Sequence, residues 1–216
     1  MLSWFAALSN LYRSVYFSPL KAGSFVEQVK WGEDMQRWVI AFVLLAGIMS
    51  PVHADIRAEH ISQLSVEYLQ GEGDVSGVRL AYRPLEFHFT TLPLLGDANM
   101  YLEASTNFWQ YGKPSKYQTN VALALSPVLK KQFANWYGKP VFWEFGIGVS
   151  MLTKREFAGK DLGSHFQFED RLGLLIELDP QNKKMLAIRY MHYSNAGLSS
   201  RNPGMDFLNI AYSWRF

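Results

Sequence analysis

From residue 61 to its last residue the chain alternates large apolar residues with small or charged ones, and a sustained period of two leaves little but antiparallel β-sheet as a fold. Val141, Trp143, Phe145, Ile147, Val149 and Met151 fall on one face of a strand; Glu144, Gly146, Gly148 and Ser150 fall on the other. Val121, Leu123 and Leu125 oppose Gln118, Asn120, Ala122, Ala124 and Ser126. Further on, Phe168, Leu172, Leu174, Ile176 and Leu178 oppose Gln167, Glu169, Arg171, Gly173 and Glu177, with Asp170 breaking the apolar row. Eight strands are expected, at roughly 61–70, 75–83, 99–110, 117–126, 141–153, 164–178, 183–195 and 205–216. Turn-forming residues punctuate them: Gly71 to Gly77, Gly112-Lys113-Pro114, Gly138-Lys139-Pro140, Gly159 to Gly163 and Asp179-Pro180-Gln181-Asn182. The stretch from Pro84 to Asp97 has no clear assignment and can lengthen two strands.

Two architectures use such a pattern. A soluble barrel or sandwich turns its apolar face inward, whereas an outer-membrane barrel turns it to lipid. The polar rows collect Glu67, Arg79, Glu103, Glu144, Glu169, Arg171, Arg189 and Arg215, interleaved with Gly, Ala and Ser. Mixed charges of both signs among small residues suit the filled interior of an eight-stranded barrel, which is too narrow for a pore. The terminal strand ending in Phe216 resembles the C-terminal signature of bacterial outer-membrane barrels. An all-β fold follows, an eight-stranded antiparallel outer-membrane β-barrel spanning 55–216 behind an N-terminal signal segment.

That segment is residues 35–54. Met35-Gln36-Arg37 leads into the apolar run Trp38 to Ile48, and Val52-His53-Ala54 supplies a small-residue cleavage site. The run of about 11 residues falls short of the roughly 20 that span a bilayer as a helix. Residues 1–34 then read as an upstream extension or a start placed too early. The net charge of +2 points to no nucleic-acid partner, and the lack of cysteine removes thiolate nucleophiles, thiolate metal sites and disulfides.

Parity also places the chemistry. His192 and Ser194 share a face with Leu186, Ile188 and Tyr190; Asp206 shares one with Leu208, Ile210, Tyr212, Trp214 and Phe216. All three therefore point out of the barrel, toward lipid. If the barrel is entered from the periplasm, odd-numbered strands run outward, so the loop Ala196 to Met205 is extracellular and the three residues lie near the outer-leaflet boundary. A serine hydroxyl needs a base to become a nucleophile. A histidine two residues along the same strand lies about 6–7 Å away at the backbone, within side-chain reach. An acid on the next strand can orient that histidine. Asn195, Gly197 and Asn202 in the adjoining loop are candidate oxyanion donors or supports. A His-x-Ser at a strand end also occurs as plain rim solvation, and only its position on a lipid face favours an esterase acting on a lipid.

His192-Tyr193-Ser194-Asn195-Ala196-Gly197-Leu198 with Asn202-Pro203-Gly204 resembles the C-terminal motif of the lipid A 3-O-deacylase (PagL) family. The similarity is strongest over 183–216; Glu144 to Gly148 and Gly163 to Gly173 resemble inner stretches of the family. The resemblance implies an outer-membrane barrel that removes the 3-position acyl chain of lipid A in lipopolysaccharide. By it Ser194 is the nucleophile, His192 the base and position 206 the acid, with Gly197 and Asn202 as oxyanion donors and Asn195 supporting the turn. The family pattern has glutamate at the acid position; this chain has the shorter Asp206. No cofactor is implied, and a homodimer is compatible with such a barrel. The alternatives are a phospholipase or other lipid esterase with the same triad, and a non-enzymatic small barrel used in adhesion or envelope integrity.

Ser18-Pro19-Leu20-Lys21 matches Ser-x-x-Lys but precedes the signal segment. His60, His88 and His165 have no metal-ligand spacing and read as interface or turn residues. Lys113, Lys116, Lys154, Arg155, Lys160 and Arg201 fall in expected external loops, where solvated charge is the default reading and contact with lipid phosphates the sharper one.

Overall fold

The computed structural model describes residues 56–92, 95–113, 116–179, 181 and 183–216. The expected extension (1–34), the expected signal segment (35–54) and the Ser18–Lys21 motif lie outside the described residues.

Among the described residues ten strands form: β1 (Ile56–Gly71), β2 (Val75–Leu92), β3 (Gly96–Tyr111), β4 (Gln118–Trp136), β5 (Lys139–Leu152), β6 (Glu156–Phe157), β7 (Lys160–Asp161), β8 (Phe166–Glu177), β9 (Lys184–Ser194) and β10 (Met205–Arg215). Eight of them close a barrel in the order β1-β10-β9-β8-β5-β4-β3-β2, while β6 and β7 make a separate hairpin within the β5–β8 connection. All the pairings are antiparallel. The first and last strands seal the ring from Gln63↔Arg215 to Gly71↔Phe207, which leaves the sheet no open edge.

The expected strands are present, and the first four are longer than their alternation suggested. Residues 84–97 carry β2 on to Leu92 and start β3 at Gly96. Pro84 hid this continuation. It has no N–H for the ladder, and the β2–β3 register shifts between Tyr82 and Leu85. The β1–β2 register shifts at the same level, between His60 and Gln63. In β2 the buried row passes from Arg83 to Glu86, from odd to even positions, so a strict period-two reading stops there.

The polar rows do fill the interior. Glu67, Arg79, Glu103, Glu144, Glu169, Arg171 and Arg189 are all buried, joined by Arg83, which the sequence reading left out, whereas Arg215 is only partly buried, at the end of β10, where it bonds Glu86. Arg79 spans Glu103 and Glu169, each at 2.7 Å; Arg171 meets Glu103 at 2.7 Å and Glu169 at 2.6 Å. Arg189 bonds Glu144 and lies 3.1 Å from Glu67. Four carboxylates and four guanidiniums offset one another, which is how so many charges tolerate removal from water. The outward rows carry Leu64, Val66, Leu80, Leu123, Leu172, Ile188 and Ile210, each well exposed, as a lipid-facing wall requires.

Above the charged layer, at the end carrying the β9–β10 loop, the interior turns apolar. Leu69, Trp109, Tyr193 and Phe207 pack with Phe157 and Leu162 of the β6–β7 hairpin. The Trp109 ring sits 4.8 Å from Tyr193 and 6.1 Å from Phe157. Phe157 and Leu162 are completely buried, and burial of each contributes about 1.5–3 kcal/mol. The hairpin is therefore pinned as a cap over the barrel mouth, beside the ends of β8, β9 and β10.

Candidate active site

Strand β9 alternates Met185, Ala187, Arg189, Met191 and Tyr193 into the barrel, leaving Leu186, Ile188, Tyr190 and His192 outside. In β10 the inward residues are Met205, Phe207, Asn209, Ala211 and Ser213, so Asp206 also faces outward. The register sets His192 directly opposite Asp206. His192 Nδ1 lies 2.6 Å from Asp206 Oδ1. A carboxylate only accepts, so Nδ1 carries the hydrogen, and in the neutral ring it is Nε2 that holds the lone pair. The side chains are 20% and 34% exposed, which puts the pair on the outer wall at the rim.

Ser194 is the last residue of β9 and follows the same outward parity, paired across to Phe168 of β8. It is only 2% exposed, and among the described residues its Oγ has no hydrogen-bond partner. A buried hydroxyl without a partner costs free energy unless something else uses it.

The loop after Ser194 is organised by Asn195. Its Nδ2 donates to Leu162 O at 2.9 Å and to Arg201 O at 2.7 Å, tying the loop to the capping hairpin. Its Oδ1 accepts from Gly197 N at 3.0 Å, and its own N–H donates to Asn202 Oδ1 at 2.9 Å. Asn195 thus holds the turn, and it also holds both expected oxyanion donors. The Gly197 N–H is spent on Asn195 in this state, while the bond to Asn202 Oδ1 leaves Asn202 Nδ2 as a donor.

Two glycines are sterically required. A Cβ on Gly163 would lie 1.9 Å from Arg201 O, at a φ of +80°. A Cβ on Gly204 would lie 2.8 Å from His192 Cε1, at a φ of +67°. Both the left-handed backbone and the space belong to glycine. Gly204 in particular leaves room for the imidazole.

Two residues near His192 were not assigned a role from sequence. Asp170, which interrupts the apolar row of β8, is paired with His192 across the β8–β9 ladder, so the second strand beside the imidazole also presents a carboxylate. Its charge in an apolar row was the signal. Tyr190 donates from Oη to Asp206 Oδ1 at 2.6 Å. Nothing in the alternation separates it from the other apolar residues of its row.

Three of the six loop cations are engaged. Arg155 Nε and Arg201 Nη1 flank Asp161 at 2.9 and 2.6 Å, and Lys160 Nζ bonds Glu72 at 2.7 Å and Gly204 O at 3.3 Å. The Gly163 N–H, then Arg201, hold the Asp161 carboxyl below its ordinary range. His88 bonds Asn99 and Glu59, and His165 Nδ1 meets Leu152 O at 2.8 Å. Among the described residues no group of three or more His, Asp and Glu side chains is arranged to hold a metal ion.

This geometry sits in a chain with clear relatives. The family model for lipid A 3-O-deacylase (PagL) matches residues 76–215. The lipid A deacylase PagL of Bordetella bronchiseptica is 40% identical over 84 residues, 39% of this chain and 46% of that protein. The lipid A deacylase PagL of Pseudomonas aeruginosa is 33% identical over 112 residues, 52% of this chain and 62% of that protein. The matched stretch spans about half the length of these curated relatives. A crystal structure of the outer membrane enzyme PagL superposes with a TM-score of 0.57 at 24% identity, covering 71% of this chain and 99% of that one. The fold is that of an outer-membrane β-barrel, and the chain belongs to the lipid A 3-O-deacylase (PagL) family.

Proposed function

We propose that this chain is an outer-membrane serine esterase that removes the 3-O-linked acyl chain from lipid A in the outer leaflet, with Ser194 as nucleophile, His192 as base and Asp206 as the acid. The observation that carries the reading is the 2.6 Å bond from Asp206 to His192 Nδ1 on the outer wall, which leaves Nε2 basic and directed away from the acid. Next to it on the same row sits Ser194, whose buried hydroxyl has no hydrogen-bond partner among the described residues.

The reaction runs in two halves. A rotamer change brings Ser194 Oγ to His192 Nε2, a tightening that substrate-free sites commonly require. Oγ attacks the ester carbonyl, and its proton passes to Nε2. The carbonyl oxygen becomes an oxyanion that Asn202 Nδ2 can meet, and the Gly197 N–H can join once it leaves Asn195. The bond to the sugar oxygen breaks, and that oxygen takes the proton from the imidazolium. Water then repeats the sequence on the acyl-serine and releases the fatty acid. The acyl chain lies against the apolar outer wall, so the barrel exterior serves as the binding surface. The membrane supplies the substrate, and a homodimer is compatible with this arrangement.

The test is mass spectrometry of lipid A and phospholipids incubated with the purified protein in mixed micelles. Loss of one 3-hydroxyacyl chain from lipid A is the expected result, abolished in Ser194→Ala. Release of phospholipid acyl chains with lipid A intact would make the chain a phospholipase. No change in either lipid would remove the enzymatic reading.

A further inference from the structure

We propose that Tyr190 is a positioning residue for the acid: its phenol fixes the Asp206 carboxylate on the imidazole. The inference rests on the reading of Ser194, His192 and Asp206 as a triad.

Both hydrogen bonds of Asp206 fall on one oxygen. Tyr190 Oη and His192 Nδ1 each lie 2.6 Å from Oδ1. The phenolic distance is in the range of O–H···O⁻ bonds strengthened by charge. Asp206 is one-third exposed at the rim, and among the described residues it has no other hydrogen-bond partner. A short carboxylate at a wet boundary can rotate away from its histidine unless something holds it. Tyr190 stands two residues before His192 on the same face of β9, and the residue opposite it on β10 is Leu208. Its hydroxyl therefore reaches Asp206 across the diagonal of the ladder, a span that a long, stiff ring can bridge.

A belt role for Tyr190 is the plainer account, since tyrosine is enriched where a membrane meets water. A belt tyrosine turns its hydroxyl to headgroups or water. This one donates its hydrogen bond to a carboxylate that already bonds a histidine.

Tyr190→Phe tests this, because it deletes one oxygen on the lipid face and leaves the interior untouched. The expected result is a kcat about tenfold lower, the scale of one lost charge-assisted bond partly replaced by water, with KM unchanged. In an Asp206→Ala background the same change should have no further effect. A Tyr190→Phe enzyme with kcat within twofold of native overturns the proposal, as does an undiminished effect in the Asp206→Ala background. Ser194→Ala, measured alongside, separates the levels: activity retained there overturns the triad itself, whereas a dead Ser194→Ala beside a fully active Tyr190→Phe overturns only the tyrosine's role.

Discussion

Replacing Asp206 by alanine isolates what the acid contributes. The carboxylate makes one bond to the imidazole, at 2.6 Å. A hydrogen bond to a charged group contributes about 1.5–3 kcal/mol. At about 1.4 kcal/mol per decade of rate, its loss corresponds to about 10–150-fold in kcat. The Asp206 side chain is 34% exposed, so water takes over part of the role, and the expectation falls in the lower part of that range, about 10–50-fold. KM should stay within about twofold, because the carboxylate meets the imidazole and not the acyl chain. Asp206→Glu should recover most of the rate, since one added methylene still allows a carboxylate oxygen to reach Nδ1. The assay is the initial rate of 3-hydroxyacyl release from lipid A in micelles, with heat-modifiable migration as the control for a folded barrel. A change of less than about threefold would refute the orienting role, since even the weakest bond of this kind exceeds that. A loss as deep as that of Ser194→Ala would also refute it, because an acid that only orients leaves the nucleophile and base in place.

Other consequences follow from neighbouring contacts. Gly204→Ala would put a methyl group 2.8 Å from His192 Cε1 on a left-handed backbone, so kcat should fall at least about tenfold by displacement of the base, with the barrel still folded on a gel. Glu169→Gln would leave Arg79 and Arg171 short of a buried counter-charge. Breaking a buried pair costs about 3–5 kcal/mol, visible as a lower urea midpoint for loss of heat-modifiable migration. Asp161 is held below its ordinary range by the Gly163 N–H and Arg201. Its stabilisation of the capping hairpin is therefore present above the ordinary carboxylate value of about 3.9 and lost as pH falls through the lower folded value. Rate-corrected hydrogen exchange over 156–163 should quicken between pH 5 and pH 2.5, and Asp161→Asn should remove that dependence.

Much of this was legible because a barrel wall is a two-row code. Parity alone put Glu169 and Arg171 inside and Asp170 outside, and it sent His192 and Asp206 to the same wall. The code fails where register slips. Pro84 breaks the ladder, and the sequence could not carry the rows through residues 84–97. It is silent on pairing between strands as well. That Asp170 and Asp206 bracket one histidine is a property of register across β8, β9 and β10, which no single strand contains. Tyr190 was hidden for a different reason. A tyrosine in an apolar row serves equally as wall or as donor, and only the position of its hydroxyl decides. The capping hairpin also escaped notice, because two-residue strands are too short to show any period.

The central claim is that an activated serine faces the bilayer boundary on the outer wall. A long-chain fluorophosphonate added to the barrel in micelles tests it directly, with the adduct located by peptide mass spectrometry. Labelling of Ser194 that disappears in His192→Ala is the expected result. An adduct on another serine, or no adduct on a barrel that still removes acyl chains from lipid A, would contradict the account.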